Sequence, residues 1–387
     1  MNNTPMRGIA DLTSFRTAEG RWSRLGPYYA MFPIEFARET IRSLSRPGDT
    51  VLDPFCGRGT APYVAMVLGR EAVGCDINPV AWTYAAAKTD PHPSLSDVVR
   101  RIGEVASAAR GQDRRAANEF QRFAYCANAL GFINAARREL DWRESRLDRT
   151  VAAFLLHYLH AKLGEGLSNQ MRPSRAMSPG YSVRWWRGKG LTTPPDIDAS
   201  SFLAERATWR YAKGVPELAG NATIALGDAT DALPDCAERA DLVVTSPPYV
   251  GVTNYRSDSW LRLWALGEGP PEADWSSSQK FSNSKRYEDM LRSVMQAAHD
   301  RATRDAVWFL RVDARDRTLS VARRVMAELL PEHRLYERVS LSPRRTQTAL
   351  YGDRQVKPGD IDLMYVPQKR RKPGSMKDFR LTRATSR

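Results

Sequence analysis

Short apolar runs, each closed by glycine, proline or an acid, recur toward both ends of the chain, and a long stretch of helical periodicity separates them. Thr50–Asp53, Glu71–Asp76, Ala222–Leu226, Asp241–Val244, Ala306–Val312, His333–Leu341 and Ile361–Val366 read as buried strands, being short and rich in Val, Ile and Leu. Between them, Ile34–Leu44, Ala61–Gly69, Tyr287–Thr303 and Leu319–Leu330 carry helical spacing. Strands alternating with helices predict an α/β sheet, mainly parallel, with helices on both faces. The last two strands read as an antiparallel hairpin closing that sheet. From 94 to 164 the strand rhythm stops. There the chain reads as helical, with Asp148-Arg149-Thr150 opening a long helix through Phe154, Leu155, Tyr158, Leu159 and Leu163.

The chemistry-bearing residues fall where the strands end. Asp53-Pro54-Phe55-Cys56-Gly57-Arg58-Gly59-Thr60 is a strand running into a glycine turn and then a helix. Glycines at 57 and 59 permit positive φ and close approach of backbone to a ligand, and the helix start behind them offers unpaired N–H groups. Pro62 stands where a dinucleotide fingerprint wants a third glycine, which weakens a phosphate-cradling reading. The second strand ends in Asp76-Ile77-Asn78, and an acid at that distance from the turn is placed to accept hydrogen bonds from ribose hydroxyls. A third acid follows Ala222–Leu226, in Gly227-Asp228-Ala229. Each acid alone reads equally as a turn or cap residue. The fourth strand ends in Thr245-Ser246-Pro247-Pro248-Tyr249, where paired prolines stop the ladder and stiffen the backbone. One hydroxyl, outward carbonyls and an aromatic ring at a strand tip suit a flat, amine-bearing ring; the bland alternative is a loop terminator that happens to precede a tyrosine.

Together the two motifs resemble the S-adenosylmethionine-dependent amino-methyltransferases of DNA, the cytosine-N4 and adenine-N6 type. The resemblance covers roughly residues 22–90 and 222–366. It implies a Rossmann-like methyltransferase sheet with a largely helical insertion, and a pocket for S-adenosylmethionine lined by Asp53, Pro54, Phe55, Gly57, Gly59 and Thr60. Asp76, Ile77 and Asn78 would lie at the ribose, Asp228 and Ala229 near the adenine, and Tyr29, Phe32 and Pro33 in a segment closing over the methionine end. Ser246, Pro247, Pro248 and Tyr249 correspond to the catalytic tetrad. A leading Ser is associated in that family mainly with cytosine N4, and a leading Asp mainly with adenine N6. The chain departs from common arrangements in its long stretch between the second and third acids.

Lys and Arg number 58 against 44 Asp and Glu, a net charge of +14, which suits a polyanionic partner although much of it is ordinary solvated surface. Asn169, Arg172, Arg175, Tyr181, Trp185, Trp186 and Arg187 mix amides, guanidiniums and aromatics in a loop-like run suited to phosphates, base edges and unpaired bases. A structural plug built on the tryptophan pair is the competing account. Arg344 and Arg345, between the hairpin strands, are further candidates for DNA contact, and the tail with Lys369-Arg370-Arg371-Lys372 reads as a solvated charge run. His157 and His160 at i, i+3 lack Cys or carboxylate companions, so core or surface packing is favoured over a metal site and none is assigned. Cys56, Cys75, Cys126 and Cys236 show no CxxC spacing, hence no zinc or disulfide framework. No run of about 18 apolar residues occurs, and no apolar N-terminal segment, so a cytoplasmic protein without membrane contact is expected.

These boundaries divide the chain into an N-terminal polar segment (1–21), a cofactor-binding part (22–92), an inserted region for target recognition (93–220), a catalytic part (221–366) and a basic tail (367–387). No Pro-Cys pair is present, so the thiolate route to carbon 5 of cytosine is excluded. The expected activity is methyl transfer to the N4 amine of a cytosine flipped out of double-stranded DNA, with room for a cognate restriction endonuclease as partner. A neutral Ser is a poor base, so the departing proton is expected to reach water. Adenine N6 in DNA, an RNA amine, and a non-catalytic DNA-binding module on the same fold are the alternatives.

Overall fold

The computed structural model describes residues 11–28, 32–236, 238–250, 254–269, 284–340 and 359–369, with the backbone alone at Tyr255, Ser340 and 382–383. Eight strands form one sheet: β1 (Thr50–Asp53), β2 (Glu71–Asp76), β3 (Ala222–Leu226), β4 (Ala240–Thr245), β5 (Ala302–Asp313), β6 (His333–Ser340), β7 (Asp360–Pro367) and the two-residue edge β8 (Thr382–Arg383). Their spatial order is β3-β2-β1-β4-β5-β7-β6-β8. The first five in that order run parallel. β7 enters antiparallel between β5 and β6, giving the expected closing hairpin.

Fourteen α-helices accompany the sheet among the described residues: α1 (Ala18–Ser23), α2 (Ile34–Leu44), α3 (Thr60–Val67), α4 (Pro79–Thr89), α5 (Leu95–Ser107), α6 (Glu119–Ala124), α7 (Ala127–Glu139), α8 (Arg146–Tyr158), α9 (Pro179–Gly188), α10 (Ala199–Tyr211), α11 (Ala229–Ala232), α12 (Tyr255–Ala265), α13 (Ser284–His299) and α14 (Asp316–Leu329). Period-two alternation in the central strands sorts them into layers. Val51, Leu242, Val244, Val307, Phe309 and Met364 point into one core, shared with α2, α3, α4, the inserted helices and α12. Leu52, Val243, Trp308, Leu310 and Leu363 point into the other, shared with α13 and α14. The insertion is therefore built onto one face of the sheet through a common core.

Several boundaries differ from those expected. Residues 11–21 do not trail away: Leu12 and Trp22 are buried, and Thr17 caps α1 through its hydroxyl. The helix predicted to run to Leu163 stops at Tyr158, and Leu163 is exposed. The run around Trp185, expected as a loop, is helix α9 with Pro179 in its first turn, a position where proline costs no hydrogen bond. Helix α12 was not expected. Asn254 caps it, and its buried face mixes Asp258, Ser259 and Arg262 with Trp260 and Leu261, which hides the apolar period.

The glycine turn follows backbone necessity. Gly59 caps α3 with φ 75°, and a Cβ there would lie 2.7 Å from the Ala85 Cβ. Gly57 also has positive φ, but a Cβ there would meet no atom within 4 Å. Gly59→Ala should therefore cost more than the roughly 1–2 kcal/mol of left-handed backbone, and Gly57→Ala should cost only about that. Chemical denaturation of the two variants measures the difference, and equal losses would remove the role of the α3–α4 contact.

Candidate active site

The strand order reverses between β1 and β4, and their C-terminal ends are where open α/β sheets receive ligands. Parallel register (Val51 with Leu242, Leu52 with Val243) brings the glycine turn and the Ser-Pro-Pro-Tyr loop to the same end. A side-chain bond ties them: the Thr245 hydroxyl donates to Asp53 Oδ1 at 2.7 Å. The Phe55 backbone N–H donates to the same oxygen at 3.2 Å, so Asp53 braces both loops from beneath. Its burial pushes the carboxyl up to about 7 despite those donors.

Asp76 bridges the next gap. Its Oδ2 accepts the Gly57 N–H at 2.9 Å and its Oδ1 the Asn78 N–H at 2.8 Å. Burial raises it to about 6, opposed by these two bonds. Ile77 beside it is 52% exposed, an unusual position for a large apolar side chain. Asn78 caps α4, accepting from Val80 N–H, while its amide donates to the Tyr28 hydroxyl at 2.9 Å and to Ser259 Oγ at 3.3 Å. Asp228 caps the short α11 by accepting from Thr230 N–H, and Ala229 packs inside the second core. Pro54 and Thr60 are buried and Phe55 is half-buried in the turn. Phe32 packs edge-on against Phe36 at 5.0 Å, and Pro33 precedes α2 as its cap residue. Tyr29 lies outside the described residues. Cys56 and Cys75 are buried with thiols held well up by burial, and serve as packing.

In the proline loop, Ser246 Oγ donates to the Arg311 carbonyl at 3.1 Å, and the Tyr249 hydroxyl meets Asp360 Oδ1 at 3.2 Å. Pro247 and Pro248 are buried, whereas Ser246 and Tyr249 are partly open. The floor is ionic. Arg311 makes a two-pronged bond to Asp362 (2.7 and 3.1 Å), Arg338 adds a third at 2.9 Å, and the Arg311 guanidinium lies 3.4 Å from the Phe36 ring centroid. Sequence reasoning missed Asp360, Asp362 and Arg311. The available signal was a pair of acids, two apart, in an otherwise apolar strand.

The residues expected to contact nucleic acid divide into two groups. Asn169 is corrected: it is fully buried, and its amide donates to the Phe123 and Leu191 carbonyls. Trp186 is corrected likewise. It is the plug, fully buried against Phe120, its indole N–H donating to the Gln170 carbonyl at 2.9 Å. Arg172, Tyr181, Trp185 and Arg187 are exposed. Tyr181 and Trp185, one turn apart on α9, help line a pocket of about 200 Å³ with Met171, Met177 and Arg172. Arg187 pairs with Glu119 and Arg175 with the buried Asp258 at 2.8 Å. Arg344 and Arg345 lie outside the described residues. His157 Nδ1 accepts the Gly26 N–H and His160 Nδ1 lies 2.7 Å from the Arg172 carbonyl, so each imidazole has a structural bond.

A doubly wound sheet with its crevice at the β1–β4 reversal and an antiparallel β7 defines the Rossmann-like methyltransferase class of fold. Residues 8–87 match the family model for DNA methylase. The chain is 47% identical over 53 residues to the type II methyltransferase M.SmaI of Serratia marcescens, and 44% identical over 54 residues to M.Cfr9I of Citrobacter freundii; each match covers 14% of this chain and 18% of the relative. Among solved structures it is similar to the rRNA methyltransferase aviRa of Streptomyces viridochromogenes at TM-score 0.32 and 16% identity, across 92% of this chain and 97% of that one. Residues 8–87 are thus similar to the N6/N4 DNA methylase family, for which S-adenosylmethionine is the expected methyl donor, while the chain matches only about a fifth of the length of these relatives. The turn fits that donor in three respects: open space at Gly57, an acceptor carboxylate at Asp76, and an exposed apolar face at Ile77.

Asp53 sets a pH dependence. Its carboxyl sits at about 7 when folded against an ordinary 3.8, so the folded protein holds this proton more tightly than the unfolded chain. The stability this contributes is complete below 3.8 and is lost as pH rises toward 7. The stability of Asp53→Asn relative to the parent should therefore improve across that window. A difference that does not change with pH, measured by denaturation at successive pH values, counts against the assignment.

Proposed function

We propose that the protein transfers a methyl group from S-adenosylmethionine to the exocyclic N4 amine of cytosine in double-stranded DNA, with the target base flipped out. The observation that carries this reading is the junction of the glycine turn and the Ser-Pro-Pro-Tyr loop at one crevice, tied by the Thr245–Asp53 bond. Asp76, Ile77 and the Gly57 backbone would hold the donor's ribose and adenine, with Phe32 and Pro33 toward its methionine end. Bound there, the donor supplies an electrophilic methyl on a sulfonium centre.

The protein's own residues then deal with an unreactive amine, whose lone pair is delocalised into the ring. Ser246 donates to the Arg311 carbonyl, which leaves its oxygen able to accept an amine hydrogen; the Pro247 carbonyl is the second acceptor. Held by both, the amine turns its lone pair out of the ring plane and toward the donor. Positioning is the main contribution. Flipping the base costs a few kcal/mol, and stacking on Tyr249 returns about 1–3 kcal/mol. Base choice follows the leading Ser.

Tyr181, Trp185, Arg172, Arg175 and Arg187 are the proposed DNA-facing residues of the insertion. The exposed aromatics at i, i+4 and the flanking guanidiniums support that reading, and Asn169 and Trp186 hold the segment in shape. Tyr181→Ala with Trp185→Ala should weaken DNA binding by about 5- to 150-fold if one base stacks there without altering the melting temperature; undiminished affinity would leave the pair without a DNA role.

Single-molecule sequencing of DNA from cells expressing the gene should reveal N4-methylcytosine in one sequence context, absent with Ser246→Ala although that variant still binds S-adenosylmethionine by calorimetry. N6-methyladenine instead would replace the base assignment. Unmodified DNA beside methylated RNA would replace the substrate.

A further inference from the structure

The insertion carries an opening of its own, whose described lining comes from residues 170–186 and includes no residue of the crevice. Its volume is about 200 Å³. Met171, Ser182 and Trp186 form a buried floor, while Tyr181 and Trp185 stand exposed at the rim. An apolar cavity of about 150 Å³ already accepts benzene, and drug-sized ligands occupy roughly 300 Å³ or more. The space therefore suits one flat ring system of nucleobase size. We propose that it receives a second base of the DNA, turned out of the helix, besides the one presented to the Ser-Pro-Pro-Tyr loop. This rests on the DNA reading above and deepens it, from a face on which a base rests to a pocket that encloses one.

The lining selects the ligand. The thioethers of Met171 and Met177 and the rings of Tyr181 and Trp185 offer polarizable contacts to an aromatic face. The polar groups around them are already engaged. Ser182 Oγ donates to the Met177 carbonyl at 3.4 Å, Trp186 Nε1 to the Gln170 carbonyl at 2.9 Å, and Gln170 Oε1 accepts the Leu163 N–H at 2.8 Å. Stacking, which every base provides, therefore counts for more here than hydrogen bonds to one particular base edge. Phosphates on either side of the base would meet Arg172 in the lining and Arg184 on α9, a helix that contains no acid. An apolar side chain of a partner protein would use the thioethers and leave these guanidiniums idle.

The pocket is also fixed relative to the tetrad. Trp260 of α12 donates its indole N–H to the Met177 carbonyl at 3.2 Å. Its ring packs edge-on against Phe120 at 5.1 Å, and Phe120 packs against Trp186 at 5.5 Å. Helix α12 starts six residues after Tyr249, so the wall and floor of the pocket are held by the element that follows the catalytic loop. Extruding a base from an intact duplex costs about as much as stacking it on one aromatic ring returns. A base that already lies outside the helix escapes that cost, and the pocket should therefore favour DNA that contains one.

Fluorescence anisotropy with the full chain and two labelled duplexes tests this, one fully paired and one of the same sequence carrying a single extrahelical adenine. The parent should bind the second duplex about 5- to 150-fold more tightly. Tyr249→Ala removes the ring from the crevice and should keep that preference. Trp185→Ala should lose most of it; Trp185 stands at the exposed rim, so its removal leaves the core intact. Ser182→Leu, which fills the pocket and spares both rim aromatics, should lose it too. With 2-aminopurine as the extrahelical base, emission should be quenched on binding to the parent and to Tyr249→Ala, and less so with Trp185→Ala. Equal affinity for the two duplexes overturns the pocket and leaves the methyl-transfer reading standing. A preference that vanishes in Tyr249→Ala yet survives in Trp185→Ala places the base in the crevice and overturns it likewise. One that survives a folded Ser182→Leu shows stacking on the surface and overturns the enclosed site. A parent that binds neither duplex overturns the DNA reading and the pocket with it.

Discussion

The parallel pairing of β1 with β4 is the constraint on which the rest of the molecule depends. Nearly two hundred residues of chain separate these strands, yet their register sets the glycine turn and the proline loop side by side. Backbone pairing alone leaves the loop tips free to splay, since β1 and β4 run one and two residues past their last mutual pair, Leu52 with Val243. The Thr245–Asp53 bond closes that gap. A buried carboxylate without donors would be costly, so Asp53 is satisfied only while the Thr245 hydroxyl and the Phe55 N–H both reach it. The bond therefore works in both directions: it needs the loops together, and it keeps them there.

The second support is ionic. Asp362, fully buried in the middle of β7, accepts from Arg311 on β5 and Arg338 on β6, which binds the three strands of the antiparallel end by side chains as well as by ladder bonds. Desolvating such charges is expensive, and the penalty is met only by complete hydrogen bonding. The Arg311 carbonyl then receives Ser246, and its guanidinium stacks on Phe36, which in turn touches Phe32. One arginine thus serves the tetrad through its backbone and α2 through its side chain. Insertion of β7 between β5 and β6 is what brings Asp360 and Asp362 under the proline loop.

Much of this was legible from residue order, and what was not has physical causes. Ala222–Leu226 and Ile34–Leu44 fall on the boundaries their periodicity implies, because an apolar run between turn residues has few other ways to be buried. The two motifs were legible because glycine at positive φ and consecutive prolines restrict the backbone strongly. The tetrad's supporting acids were not legible, since Asp360 and Asp362 acquire meaning only when β7 is threaded between partners distant in sequence. Asn169 and Trp186 misled for the complementary reason: amides and indoles that suit base contacts also suit burial once their N–H groups find carbonyls. Composition describes what such side chains can bond, and packing decides with whom.

Helix α12 joins these parts. It follows the proline loop closely and is pinned at both ends of the problem. Ser259 meets Asn78 beside the glycine turn. Trp260 donates to the Met177 carbonyl, Arg262 to those of Pro173 and Ser174, and Asp258 pairs with Arg175. Arg262 is buried and spends its donors on backbone carbonyls of the inserted segment, so that segment cannot shift without stranding a buried cation, a penalty of several kcal/mol. The exposed face of α9 and the tetrad are thereby referred to one rigid element. A shared core on one sheet face, with α12 as the tie, explains how an insertion of this length can hold a surface in fixed relation to a crevice built from two other parts of the chain.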